Sequence, residues 1–333
     1  MVQSNPHMID RFGRVHDYLR ISLTERCNLR CFYCMPEEGI QLRDKAEFML
    51  NEELLEIAKT FVLMGVKKIR LTGGEPLIKK GIDLLLRELG ELPVELAITT
   101  NAILVDKYLD DLMAAGIRNV NVSLDSLVEE KFNKISRRDY FKRIKSNIHL
   151  LLENNFNVKV NVVLIKGLND NEVIDFIEWS RNENIHIRFI EFMPFDGNNW
   201  NDDKKVSYKE VMEKVHHHYG LDNVYKLIDS KNDTSKNFQI RGGSGTFGVI
   251  SSMTNPFCSS CNRIRLTADG KLKNCLFSQT ETDLLSALRN GEGLEKYIQE
   301  SILSKEKERG GYSQFDNESV NLMKNRTMVS IGG

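Results

Sequence analysis

Net charge is almost absent from this sequence. Its 46 Lys and Arg stand against 47 Asp and Glu, so at the level of the whole chain nothing calls for nucleic acid or a membrane surface as a partner. Long apolar runs are absent too. No stretch approaches the roughly eighteen uninterrupted apolar residues of a membrane span, and the N-terminal "MVQSNPHMIDRFGRVHDYLR" has no apolar segment behind a basic one. A cytoplasmic protein with no membrane contact is the expectation. Cysteine is scarce, with 6 in 333 residues, which excludes a disulfide scaffold, while clustered spacing in such a protein points to metal or redox chemistry.

What is present is alternation. Short β-branched runs at Tyr18 to Leu23, Lys67 to Thr72, Val94 to Thr100, Asn119 to Asp125, Asn157 to Leu164 and His186 to Phe192 are separated by helix-period stretches. One of these, "NEELLEIAKTFVLMG", offers Asn51 as an N-cap and Gly65 as a C-cap. Repeats of this kind, spaced by roughly 25 to 35 residues, imply parallel strands joined by helical crossovers. A doubly wound sheet and a (β/α) barrel both fit.

Side chains of a strand alternate faces. One face carries Arg20 and Ser22, Arg70 and Thr72, Thr99 and Asn101, Asn121, Ser123 and Asp125, Lys159 and Asn161, and Arg188; the other is mostly Leu, Ile and Val. Parallel sheets are ordinarily apolar on both faces, and closed eight-stranded barrels fill their interior with apolar side chains. Half-exposed strands would explain a polar stripe. So would an open, incomplete (β/α)6 TIM-type barrel whose inner wall lines a cavity, and exposed parallel strands are rare. Arg20, Arg70, Lys159 and Arg188 on that wall, with Glu95 and Asp125 as the acids on those strands, suit a polyanion such as a nucleoside triphosphate.

The alternation ends near Gly197. Residues 1–193 are expected to form the partial barrel and 194–333 a smaller α+β region, with "YKEVMEKVHHHYG" as a helix and "GTFGVISSM" as a strand. His216, His217 and His218 are adjacent helix positions that point in different directions, so a solvated helix face accounts for them better than a metal site.

The cysteines form two triples. Cys27, Cys31 and Cys34, spaced C-x3-C-x2-C, follow the first strand, at the end where barrel active sites form. Thiolates suit iron–sulfur clusters or zinc, and three of them on a four-iron cluster leave one iron open. This spacing resembles the signature of radical S-adenosylmethionine enzymes, in which that iron takes the methionine amine and carboxylate and reduction releases a 5′-deoxyadenosyl radical. "TGGEP" at Thr72 to Pro76, after the second strand, resembles the superfamily motif that holds the methionine amine. The second triple is Cys258, Cys261 and Cys275, spaced C-x2-C-x13-C beside Arg263 and Arg265; a zinc ribbon would present two CxxC pairs, so a second open-iron cluster is the consistent reading.

Both triples, together with "LRIS", "KKIRLTGGEP", "NVSLD", "VKVNVV", "IRFIEFMP" and the terminal Gly332-Gly333, make the chain closely similar to the GTP 3′,8-cyclase family of molybdenum cofactor biosynthesis from about Gly13 to Gly333. The resemblance implies two [4Fe–4S] clusters, S-adenosylmethionine contacts at Tyr33, Gly74, Ser123 and Met193, and GTP contacts at Arg20, Arg70, Thr99, Lys159 and the segment Arg263, Ile264, Arg265. It implies catalytic roles for Arg20, Arg70 and Lys159, which would hold the triphosphate and help to orient ribose C3′. The implied reaction takes hydrogen from C3′, joins C3′ to guanine C8 and reduces the base radical, with the guanine edge on the second cluster and the Gly332-Gly333 tail reaching the active site. A homodimer, an external electron donor and a following cyclic pyranopterin monophosphate synthase are implied as partners.

Two positions depart from the family pattern. Where it often reads "TTNG" this chain has "TTNA", and Ala102 is compatible unless its φ is positive; Ile264 replaces a small residue between the two arginines. Two other readings remain: a peptide-modifying radical enzyme, which would usually carry more C-terminal cysteines, and a zinc- or RNA-binding module, which would need a basic surface with interleaved aromatics.

Overall fold

The computed structural model describes residues 8–36, 39–40, 43–313, 315–316 and 325–332. Gly333 lies outside them. Six strands, β1 (Tyr18–Ser22), β2 (Lys68–Thr72), β3 (Glu95–Thr100), β4 (Asn119–Ser123), β5 (Asn157–Leu164) and β6 (His186–Glu191), pair in parallel in sequence order. The crossovers are α1 (Asn51–Leu63), α2 (Ile82–Gly90), α3 (Val105–Ala114), α4 (Glu129–Ser136) with α5 (Phe141–Glu153), and α6 (Val173–Asn182). Helix α1 forms because Leu54, Ile57, Ala58 and Phe61 recur on one stripe and bury it against the sheet. Asn51 is the first helical residue rather than the cap: Leu50 precedes it in extended conformation, and the Glu53 carboxylate accepts from the Leu50 amide at 2.8 Å. Gly65 follows the helix at φ +111°.

The C-terminal half continues the same sheet. After α7 (Tyr208–Tyr219) come β7 (Val224–Lys226), β8 (Lys236–Ile240), β9 (Thr246–Ile250), β10 (Arg263–Leu266), β11 (Lys271–Lys273) and β12 (Thr282–Asp283), then α8 (Leu284–Arg289) and α9 (Leu294–Leu303). The sheet has twelve strands in the order β12-β11-β10-β1-β2-β3-β4-β5-β6-β9-β8-β7. Strand β10 adds in parallel to β1 and β9 in parallel to β6, so the parallel wall is wider than the six strands expected; the outer strands are antiparallel, and the barrel stays open. The extension works because the alternation matches. Ile264 and Leu266 stand in register with Leu19 and Ile21, and Phe247 and Val249 with Ile187 and Phe189, all on the helix-covered face and all buried. Fully burying side chains of this size contributes about 1.5 to 3 kcal/mol each.

His217 and His218 are exposed and His216 half-buried in the last turn of α7. Among the described residues no helix is long and apolar enough to cross a membrane.

Candidate active site

The polar face of the sheet forms a concave wall. Arg20 is in register with Arg70 on one side and Arg265 on the other, Thr99 with Asn121 and Asn121 with Lys159, and Asn161 with Arg188. A cavity opens on this wall, lined by Arg20, Arg188, Arg263 and Arg265 together with Met193, Cys258, Cys261 and Cys275. Cations crowded in a low-dielectric space disfavour one another's charge. Burial, then Arg70 and Arg263, pull Arg20 down to about 10, and burial with Arg20 and Arg263 brings Arg265 to about 9. Arg188 falls to about 9 by burial and Arg70, and Lys159 to about 8 by burial and Arg188. The Nε of Arg188 is buried with no hydrogen-bond partner. A polyanion would relieve all of these costs at once.

The predicted set divides. Arg20, Arg263 and Arg265 line the cavity, whereas Arg70, Thr99 and Lys159 share its face without bordering it. Arg70 is 5% exposed and already engaged, donating from Nε to the Tyr18 hydroxyl at 2.6 Å and from Nη1 to the Ile98 carbonyl at 2.7 Å. Tyr18, on the same face, has its phenol drawn down to about 7 by Arg70 and Arg20 although burial opposes this. The side chain of Ile264 turns the other way into the core, so of the segment 263–265 only the two arginines present side chains to the cavity.

The first triple sits on the loop after β1. Burial and Glu75 push the Cys27 thiol up to about 11; burial also raises Cys31 and Cys34, with Asp125 and the neighbouring thiols adding to it. Such thiols resist ionisation, so becoming ligands requires a positive partner to take the place of the protons, which iron supplies. Among the described residues no three Cys, His, Asp or Glu are arranged for a single metal ion. Donor sets made of sulfur alone suit iron–sulfur clusters by their softness.

The "TGGEP" segment holds this loop from beneath. The Gly74 amide donates to the Thr24 carbonyl at 2.7 Å and the Glu75 amide to the Arg26 carbonyl at 2.8 Å. A Cβ on Gly74 would stand 2.1 Å from the Arg26 carbonyl oxygen, so the close approach this glycine permits is to the cysteine loop's own backbone. Glu75, which sequence reasoning passed over, is fully buried and accepts from the Leu77 amide at 3.1 Å, the Thr100 hydroxyl at 2.7 Å and the Asn101 amide at 2.7 Å. Asn101 in turn reaches the Cys27 sulfur at 3.8 Å. Its neighbour Ala102 is buried at φ +63°, the condition under which alanine is strained. Tyr33 donates its hydroxyl to Asp125 at 2.7 Å, Ser123 is half-buried at the end of β4, and Met193 packs with Met253, Phe277 and Phe315.

The second triple is held by residues far away in sequence. Arg14 Nη1 donates to the Cys258 carbonyl at 2.9 Å and the Lys307 carbonyl at 2.7 Å, while its Nε pairs with Asp10 at 2.6 Å. The Arg309 amide points at the Cys258 sulfur, 3.5 Å away. Here the surroundings are basic: Arg263 and Lys305 bring the Cys261 thiol down to about 6 against the effect of burial. Nothing in the sequence pattern marks Arg14 or Lys305. The C-terminal tail returns to this wall, anchored by a bidentate Arg326–Asp269 pair at 2.8 and 3.0 Å.

Residues 21–180 match the Radical SAM superfamily and residues 185–310 match Molybdenum Cofactor Synthesis C. The mitochondrial GTP 3′,8-cyclase of Arabidopsis thaliana is 45% identical, the alignment covering 100% of this chain and 86% of that protein. The GTP 3′,8-cyclase of Listeria welshimeri is 40% identical over 97% of this chain and 98% of the relative. This chain belongs to the GTP 3′,8-cyclase family. It spans about half the length of other relatives, including the molybdenum cofactor biosynthesis protein 1 of Dictyostelium discoideum, 45% identical over 98% of this chain and 52% of that protein. Among solved structures, Streptococcus suis SuiB bound to S-adenosylmethionine superposes with a TM-score of 0.63 at 17% identity, covering 84% of this chain and 67% of that one, a likeness of fold. In this chain the two sequence matches meet between residues 180 and 185, just before β6, and β6, β9 and β10 from the second match extend the wall that the first begins.

Proposed function

We propose that this protein converts GTP to (8S)-3′,8-cyclo-7,8-dihydroguanosine 5′-triphosphate, an early step of molybdenum cofactor biosynthesis, using two [4Fe–4S] clusters and S-adenosylmethionine. The observation that carries the reading is the cavity in which Cys258, Cys261 and Cys275 face Arg20, Arg188, Arg263 and Arg265. Cys27, Cys31 and Cys34 would hold a cluster beside which S-adenosylmethionine, when bound, would supply the radical chemistry that starts the reaction. Tyr33, Gly74, Ser123 and Met193 hold that cofactor, with Asp125 orienting the Tyr33 ring through its hydroxyl. Arg20, Arg263 and Arg265 take the triphosphate, Arg188 and Lys159 add charge along the same wall, and Arg70 and Thr99 brace it from the adjoining strands. With the phosphates fixed among the arginines, the guanine lies toward the second triple and the ribose toward the first, and positioning of that kind is the protein's share of the catalysis. The chain works as a 1–193 barrel portion and a 194–333 portion carrying the second cluster and tail, in the cytoplasm, as a homodimer fed by an external electron donor. Its product passes to a cyclic pyranopterin monophosphate synthase.

The test is anaerobic reconstitution. Protein carrying about eight irons per chain should cleave S-adenosylmethionine in a GTP-dependent manner under reductant and form the cyclised nucleotide. Equal formation of 5′-deoxyadenosine without GTP, with no GTP consumed, would overturn the proposal. Replacing Cys258, Cys261 or Cys275 by serine should stop cyclisation and leave about four irons; loss of all iron in each variant would mean that the triples do not hold separate clusters.

A further inference from the structure

Lys305 follows α9 and is 2% exposed, yet among the described residues no carboxylate lies within ion-pairing distance of it. Asp10, the acid of the neighbouring buried group, is occupied by Arg14 at 2.6 Å and His16 at 3.0 Å. The Lys305 ammonium has two partners instead. It donates to the Arg263 carbonyl at 2.8 Å and toward the Cys261 sulfur at 3.6 Å. A buried ammonium without a carboxylate is costly unless an anion and hydrogen-bond acceptors compensate it, and here the anion available is sulfur. The same side chain thus spans from Cys261 to the first residue of β10, the strand that presents Arg263 and Arg265 to the cavity.

We propose that Lys305 is a positioning residue of the second site, whose ammonium hydrogen-bonds the Cys261 sulfur and so sets the reduction potential of the cluster held there while fixing the start of β10. This rests on the reading that Cys258, Cys261 and Cys275 hold an iron–sulfur cluster. Hydrogen bonds and positive charge directed at cluster sulfurs stabilise the reduced, more negative state and raise the potential. Reduction adds an electron from the external donor and breaks no bond, so the interaction strengthens without a proton being transferred. A lysine that only tied the Arg263 carbonyl would leave the potential unmoved.

The experiment is an EPR-monitored redox titration of the reconstituted holoenzyme and of K305M and K305R. The Met variant should shift the second cluster to a more negative potential and leave the first where it is, and the Arg variant should restore most of the shift. A Met variant with both clusters loaded and both potentials unchanged would overturn the proposal. The unaltered enzyme provides a measurement that needs no variant to fold: with 15Nζ-labelled lysine, electron–nuclear double resonance on the reduced second cluster should show a 15N coupling that enzyme with unlabelled lysine lacks, and its absence would equally overturn the proposal. Iron near four per chain with no second signal would overturn the cluster reading as well; failure of the lysine alone leaves about eight irons in place.

Discussion

Arg265 donates from Nη1 to the Gly332 carbonyl at 2.8 Å and so pins the last described residue of the chain against the ends of β1 and β2. Gly332 sits at φ +84°, and a Cβ there would stand 2.7 Å from both the Ser22 Cβ and the Thr72 Oγ1. The tail is therefore packed against this wall, where two strands finish, and it shares Arg265 with the row of cations proposed to take the triphosphate.

Gly332→Ala should unseat the tail. The left-handed backbone alone disfavours alanine by about 1 to 2 kcal/mol, and the contacts with Ser22 and Thr72 admit no extra carbon. Cyclisation should fall at least about tenfold, the equivalent of about 1.4 kcal/mol, with iron content unchanged. Turnover, iron analysis and carboxypeptidase sensitivity measured together check this, and a variant that cyclises at the normal rate would show that the seat is dispensable.

GTP affinity should depend on pH through Lys159. Burial and Arg188 hold its ammonium at about 8, well below an ordinary lysine. A bound triphosphate favours the charged form, so the binding constant should be level below pH 8 and fall as pH rises above it. Lys159→Arg keeps its charge and should remove the fall around pH 8, leaving only the decline near pH 9 that Arg188 and Arg265 impose. Equilibrium binding of GTP at pH 7, 8 and 9 decides; parallel profiles for the two proteins would remove Lys159 from the site.

Glu75 should impose a pH dependence of the same sign, on stability rather than on binding. Burial raises its carboxyl from 4.5 to about 7, outweighing the hydrogen bonds it accepts from Asn101, Thr100 and Leu77. A carboxyl held high in the fold favours the folded state below its unfolded value, and this contribution is lost as pH rises through about 7. Stability should therefore decline between pH 5.5 and 7.5. In Glu75→Gln that slope should shrink, although the loss of an acceptor lowers stability by about 1 to 3 kcal/mol. Urea unfolding at the two pH values measures both effects, and an unchanged slope would assign the titration elsewhere.

Ala102→Gly should stabilise the chain by up to about 1 kcal/mol, because glycine adopts φ +63° without strain while the vacated methyl costs part of the gain. The conformation is imposed by its surroundings: the Ala102 amide donates to the Thr100 hydroxyl at 3.0 Å, and Asn147 Nδ2 donates to the Ala102 carbonyl at 2.7 Å. Denaturant midpoints of the two proteins are the check.

Much of the site was legible because its signals are local. Three thiols within eight residues, GGEP one strand later and the second C-x2-C need no neighbours to be noticed. Strand parity placed Arg20, Arg70, Lys159 and Arg188 on one wall, since alternation in a strand is a property of the strand itself. The register between strands is different in kind. That Arg265 stands beside Arg20 depends on β10 pairing with a strand more than two hundred residues earlier, and the R-I-R-L alternation of β10 says which face each residue takes but not which edge it joins.

The sequence by itself determined the chemistry and the repeating framework: two thiol triples, six parallel strands with one polar face, and a basic inner stripe, each written in spacing or periodicity of 2 or 3.6 residues. Only the tertiary structure decided that β9 and β10 widen that wall, that Ile264 belongs to the core, that Gly74 makes room for the cysteine loop, and that Arg14, Glu75 and Lys305 support the sulfurs. These last facts are contacts between segments distant in the chain. They are fixed by which surfaces burial brings together, and a buried carboxylate or ammonium acquires its role from the partners it meets there.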